Sequence, residues 1–270
     1  MSATLTADRP KLAATTPLFS PFWLGRLRLP NRIVMAPLTR ARADEHGVPS
    51  ELAAEYYAQR AGAGLIIAEA TAVSRQGTGY DNWPGLYTAA QQAGWRTITD
   101  AVHAAGGRIF IQLLHAGRMS HPAFHQGELP VGPSPIAAGP ATTFSQAARD
   151  LQALDIGYLH VIEPGVNGTL SAPASARSPE LASGSFRPKF SGAIIAAGGH
   201  TAQTGAARIQ QHQADLTAYG QLFIANPDLP ARFRLNAPLA VPQRATFYGG
   251  GGAGYTDYPA LDQPPRISGM

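Results

Sequence analysis

The sequence predicts an α/β fold with a parallel sheet, open or closed into a barrel. Three observations carry this. Short apolar runs alternate with helical patterns, the rhythm of strands joined by crossover helices. The runs are continuously apolar, as in strands covered on both faces. Helical stretches stop at glycines, which supply the turn at a helix C-terminus.

The elements follow in order. "RIVMAPL" (Arg32–Leu38) reads as a strand, and "AAEYYAQRAGAG" (Ala53–Gly64) as a helix ending at glycines. "LIIAEATAVS" (Leu65–Ser74) is a second strand, and Thr88–Gly107 a helix closed by two glycines. "RIFIQLLH" (Arg108–His115) is a third strand. A long segment rich in Pro, Gly and Ser then breaks the rhythm. After it come a helix at Gln146–Asp155 and a strand at Tyr158–Pro164. Another patternless stretch precedes the strand "GAIIAAGG" (Gly192–Gly199) and the helix Thr201–Ala214. Asp215–Pro227 contains the last strand, and "DLPARFRLNAPL" is a short helix or turn. That makes six strands, whereas a (β/α)8 barrel needs eight in about 250 residues.

Composition narrows the function. The charged fraction is 14% of 270 residues, and only Lys11 and Lys189 are lysines. The arginines are scattered singly, so no basic run tracks a nucleic-acid backbone. The absence of cysteine excludes disulfides and thiolate metal sites. No apolar run reaches the roughly 20 residues of a membrane span. Residues 1–17 lack an apolar core and read as a loose tail rather than a signal peptide. The expectation is a cytoplasmic protein with one domain over residues 18–270.

Three strand ends carry candidate chemistry, because ligands of parallel α/β folds sit at the C-terminal ends of strands. Pro37, Leu38 and Thr39 follow the first strand. Gln112 interrupts the third, with His115, Arg118 and His121 after it. A buried amide needs partners for donor and acceptor alike, met by the core backbone or by a planar heterocycle. "AAGGHT" opens a helix and "AYGQ" ends the last strand. Glycines before a helix N-terminus can hold phosphate through backbone N–H groups, or simply make a tight turn. His115, His121 and His125 lie in the irregular Pro- and Gly-rich segment with no carboxylate close except Glu128, which reads as a solvated or ligand-facing loop rather than a metal site. No G-x-S-x-G nucleophile elbow occurs.

The C-terminal stretch "TFYGGGGAGYTDYPALD" (Thr246–Asp262) holds five glycines in six residues. It is not a phosphate-binding loop: no lysine follows, and Pro259 opposes a helix. Its tyrosines mark a structured loop rather than a linker.

"RIVMAPLTRARA", "EATAVSRQGTGY", "IFIQLLHAGR", "YLHVIEP", "AAGGHT", "LFIANPDLPARF" and "TFYGGGGAGYTDYP" closely resemble the Old Yellow Enzyme family of ene-reductases, in that family's order. The resemblance runs from about Leu18 to Leu261. It implies a TIM-barrel-like fold carrying FMN, which takes hydride from NAD(P)H and passes it to an activated alkene. It also implies that Pro37, Leu38, Thr39, Ala70 and Gln112 surround the flavin ring. Gly198, Gly199 and Gly220 would hold the phosphate, and Tyr80 and Tyr248 would face substrate.

Against the family's pattern, a central block is missing between about residues 145 and 151, which leaves about six of eight βα units. With it go a histidine pair for the substrate carbonyl, a tyrosine proton donor and a flavin-contacting arginine. The family's phosphate arginine is Gln221 here. The catalytic residues are thereby left unassigned. Six strands can re-close with different shear, stay open, or pair with another chain. A flavin-binding or interaction protein without turnover is the competing reading, and another phosphate-binding barrel enzyme a third.

Overall fold

The structure is a computed structural model and describes residues 15–132, 141–164, 166–167, 170–171 and 182–261. The Thr16–Phe19 turn, with Leu18 fully buried, leads into a hairpin of β1 (Phe22–Leu24) and β2 (Leu27–Leu29). Gly25 turns it in the left-handed region, at φ 57°. Strands this short leave no periodic trace in sequence, and the hairpin was not anticipated.

Six strands then form one parallel sheet. They are β3 (Ile33–Met35), β4 (Leu65–Ala72), β5 (Ile109–Leu114), β6 (Tyr158–Ile162), β9 (Ala193–Ala197) and β10 (Leu216–Tyr219). Between β6 and β9 lies a two-residue pairing of β7 (Val166–Asn167) with β8 (Leu170–Ser171). The spatial order is β5-β4-β3-β10-β9-β6. The first and last strands of the chain meet in the middle, with Ile33 opposite Thr217 and Met35 opposite Tyr219. This is the strand order of a barrel opened between its third and sixth strands. The sheet is a truncated barrel of six strands, as the motifs implied.

Helices cover the outer face. α1 (Glu51–Ala58) and α2 (Ala89–Ala104) pack beside each other over β3 and β4, burying Tyr56, Tyr57, Trp95, Ile98 and Val102 against Ile33, Met35, Ile66 and Ala68. α2 starts at a capping box: the Thr88 hydroxyl accepts from Gln91 N–H, and Gln91 returns a bond to the Thr88 backbone. α3 (Ala141–Ala153) sends Ala148 into a smaller cluster with Phe186, Phe190, Ile194 and Ala196. α4 (Ser183–Phe186) supplies Phe186 to it. α5 (Ala202–Gln210) and α7 (Leu229–Leu235) complete the layer, with α6 (Gln221–Ala225) a short turn straight after β10.

The inner face is a second core. Val34, Leu65, Ile67, Ile195, Leu216 and Ala218 point inward, and Leu24 and Leu29 of the hairpin plug their N-terminal end. With one end plugged, the C-terminal mouth of the barrel is the end left to hold a ligand among the described residues.

Candidate active site

A cavity of about 760 Å³ lies at the C-terminal ends of the strands. That is the size of an ordinary small-molecule site. Seven sequence-nominated residues line it: Pro37, Leu38, Gln112, Gly198, Gly199, Gly220 and Gln221. Their positions follow from the fold. Pro37 and Leu38 leave β3, Gln112 stands on β5, Gly198 and Gly199 leave β9, and Gly220 leaves β10.

Gly198 and Gly199 both have positive φ, 132° and 65°, which a residue with a β-carbon adopts only under strain. They deliver the chain into α5, capped by Thr201, whose hydroxyl accepts from Thr204 N–H. Gly220 is tight against Leu38: an added β-carbon would stand 3.2 Å from Leu38 Cδ2. Among the described residues, the Gln112 side chain makes no hydrogen bond. That leaves donor and acceptor for a ligand in the cavity, rather than for the core backbone.

The other four nominated residues lie elsewhere. Thr39 is half-buried beside the cavity without lining it. Ala70 is buried on β4 opposite Gln112, and its carbonyl accepts the Trp83 indole N–H. Tyr80 and Tyr248 are 55% and 60% exposed, and neither lines the cavity. Tyr80 packs near Trp83 at 5.3 Å between ring centroids, and Tyr248 near Phe247 at 6.4 Å.

Sequence reasoning missed a polar group on the β6–β9 side. His160 on β6 and His200 after β9 both line the cavity, and the Nε2 of each is buried without a partner. Burial pushes the His160 imidazole down to about 4, so it is neutral at pH 7. His200 is also lowered, first by burial and then by Arg208, with Glu163 pulling the other way. Glu163 accepts from the Ser183 hydroxyl at 2.5 Å and faces Arg208 at 3.7 Å. His160 had a legible signal. It interrupts an apolar run as Gln112 does.

Arg232 reaches the cavity from α7, and its three nitrogens each already donate, to Asp228 and to the Pro238 and Pro259 carbonyls. Tyr219 also lines the cavity. Its hydroxyl donates to Thr201 O at 3.4 Å, and burial raises its pKa strongly. The loop histidines have local roles. His115 Nδ1 accepts from Gly117 N–H, His121 Nδ1 from Ala123 N–H, and His125 Nε2 meets Ser120 Oγ at 2.8 Å.

The glycine-rich C-terminal stretch is a clamped loop. Arg40 donates to the carbonyls of Phe247 and Gly254, and Arg42 to those of Thr246 and Gly251. Arg60 donates to Phe223, Tyr56 and Ile224 carbonyls. Tyr56 stacks on Tyr255 at 4.1 Å, and the Arg60 guanidinium lies 3.7 Å from the Tyr56 ring centroid. One carboxylate, Glu69, serves this cluster. Burial raises its pKa, while bonds from Arg40 N–H, Ala41 N–H and the Tyr57 hydroxyl lower it. Gly249, Gly250 and Gly254 take positive φ to follow the arginines.

A glycine turn at a helix N-terminus and an unpartnered amide thus share one cavity in an opened barrel. A family model described as NADH:flavin oxidoreductase / NADH oxidase matches residues 17–157. The chain belongs to that family. It is 31% identical to 12-oxophytodienoate reductase 1 of Oryza sativa subsp. japonica, over 93% of this chain and 95% of the relative. That alignment spans 363 positions against a chain of 270 residues, so the rice protein carries sequence with no counterpart here. A solved morphinone reductase variant in complex with tetrahydroNAD is 31% identical. It superposes with a TM-score of 0.81, over 91% of this chain and 98% of that one. An old yellow enzyme homologue from Zymomonas mobilis is 29% identical, with a TM-score of 0.80 over 90% and 99%. The chain is therefore an NAD(P)H-dependent flavin oxidoreductase by family, with a shortened barrel. Among its described residues, no helix is long and apolar enough to cross a membrane.

Proposed function

We propose that the chain binds FMN in this cavity and reduces activated alkenes, the α,β-unsaturated carbonyl compounds, with hydride from NAD(P)H. The observation that carries the reading is the meeting of the Gly198–Gly199 turn and the free Gln112 amide in one cavity. The flavin, when bound, would supply the hydride relay between nicotinamide and alkene.

The chain's own residues would do the holding. Backbone N–H groups at the start of α5 favour a phosphate, with Gly198, Gly199 and Gly220 permitting close approach. Gln221 stands where the family has an arginine, which removes one charge-assisted bond worth about 1.5–3 kcal/mol. Gln112 offers N–H and C=O to the polar edge of a heterocycle. Pro37 and Leu38 give it an apolar wall, with Thr39 and Ala70 behind.

Flavin binding with little or no alkene turnover is a second reading, and the tyrosines favour it. Tyr219 is the cavity's own tyrosine, and its raised pKa makes it a poor proton donor. Tyr80 and Tyr248 are exposed and stand outside the cavity.

The purified chain is mixed with FMN and gel-filtered, and its absorbance is read before and after anaerobic NADPH. Retained flavin that is bleached by NADPH and re-oxidised by an enone supports alkene reduction. Retained flavin that stays bleached with every enone supports the second reading. A colourless protein overturns both.

A further inference from the structure

The sheet ends at β5 on one side and β6 on the other, and among the described residues each pairs with a single neighbour. The direction of their backbone bonds shows what is left over. Arg108 O and Leu114 O accept from β4 and the residue after it, so the N–H and C=O of Ile109, Ile111 and Leu113 point away from the sheet. Glu163 N–H donates to Ala197 O on the β9 side, so those of Tyr158, His160 and Ile162 point away too. The two edges do not satisfy each other. Phe110 and Tyr158 stack between them, ring centroids 6.4 Å apart. No ladder joins the two edges, since β5 and β6 stand at opposite ends of the strand order.

We infer that a second copy of this chain closes the sheet: β5 of one copy pairs with β6 of the other, twice, about a two-fold axis parallel to the strands. The edges are self-complementary. Three outward-facing residues stand on each, and both strands run in the same direction. A rotation about an axis along the strands keeps every new ladder parallel and uses the same surface on both copies. The register follows from the faces. Gln112 on β5 and His160 and Ile162 on β6 line the cavity, so Phe110, Gln112 and Leu114 fall opposite Tyr158, His160 and Ile162 of the other copy.

The edges are also chemically suited to meet. "IFIQLL" and "YLHVI" contain no charged residue besides His160, which burial keeps neutral at pH 7. Neither edge carries the lysine or proline that discourages strand pairing. Leu113 is 55% exposed and Ile162 65%, in strands whose composition asks for burial. Pairing would also finish the cavity wall, which stops at Gln112 on one side and Ile162 on the other.

The test is solution mass by size exclusion with light scattering at tens of micromolar. A dimer, twice 28.3 kDa, is expected. Leu113→Lys places a charge at an exposed position outside the cavity. It should yield a monomer with unchanged far-ultraviolet circular dichroism. The chain has no cysteine, so a mixture of Leu114→Cys and Ile162→Cys chains under mild oxidation should give a disulfide-linked dimer, and Leu114→Cys alone should not. A monomeric wild type, residues of this chain itself then covering the edges, would overturn the inference. So would open-ended polymers, or a dimer that survives Leu113→Lys.

Discussion

β4 and β5 lie side by side and are both almost wholly apolar, yet all eight residues of β4 are buried and none of the six of β5 is. The same contrast holds across the sheet: four of five β9 residues are buried and none of β6. An apolar run states how many neighbours a strand needs. β4 and β9 have two; β5 and β6 have one. The centre of the sheet is closed by side chains as well as strands, because Arg40 and Arg42, after β3, pin the C-terminal loop, and Arg60, after α1, pins α6. Among the described residues, the rim has nothing comparable.

The contrast can be broken from its sealed side. Arg60→Ala removes four bonds from a buried guanidinium to the main-chain carbonyls of Tyr56, Phe223, Ile224 and Tyr255. The expected loss is about 3 kcal/mol or more, read as a lower urea midpoint. Arg60→Lys should recover only part, because an ammonium lacks the planar fork. If Arg60→Ala unfolds at the wild-type midpoint, the sealed side owes nothing to its arginines.

The next effect belongs to the rim. His160 titrates at about 4 in the folded chain, below the ordinary 6.5. Its contribution is complete above pH 6.5 and is lost as pH falls toward 4, because the unfolded chain takes up the proton first. Lowering the pH from 8 to 5 should cost about 2 kcal/mol through this group. His160→Gln should flatten that slope; a slope unchanged in the variant would assign the acid sensitivity elsewhere.

A smaller effect tests whether the cavity depends on its glycines. Gly199→Val forces a branched side chain to φ 65°. FMN binding should weaken about tenfold, or about 1.4 kcal/mol, with riboflavin affected less because it lacks the phosphate. Equal losses for both ligands would move the phosphate away from this turn. The smallest effect lies far from both regions. Thr88→Ala deletes the α2 cap and should lower stability by about 1 kcal/mol, leaving flavin binding alone.

Most of the fold was legible because punctuation and composition agreed. Glycines 106 and 107 stop α2 where the pattern stops, and the capping box at Thr88 opens it where the sequence suggested. α1 begins at Glu51, two residues before the expected start, although the Ser50 hydroxyl at its N-cap makes no capping bond. The hairpin Phe22–Leu29 and the turn Gln221–Ala225 were not seen. The first is too short to alternate, and the second continues an apolar run without a break. Seven of the nominated residues line one cavity because they stand at or near strand ends, which sequence marks well. The arginine clamp was invisible for a different reason. Arg40 meets Gly254 across 214 positions, and nothing local distinguishes it from a solvated arginine.

The pairing of β3 with β10 has a consequence of its own. The parts of the polypeptide before and after the shortened region are held together at this seam, on the side of the sheet opposite the opening. A covalent break between β5 and α3 would therefore sever none of the strand pairings among the described residues. The two fragments share the hydrogen bonds from Thr217 to Arg32 and from Ala36 to Tyr219, and both contribute to the cavity wall, the first with Ala36, Pro37, Leu38 and Gln112 and the second with most of the rest. The molecule is thus built as two interlocking pieces, and its architecture suits reassembly from separately expressed halves.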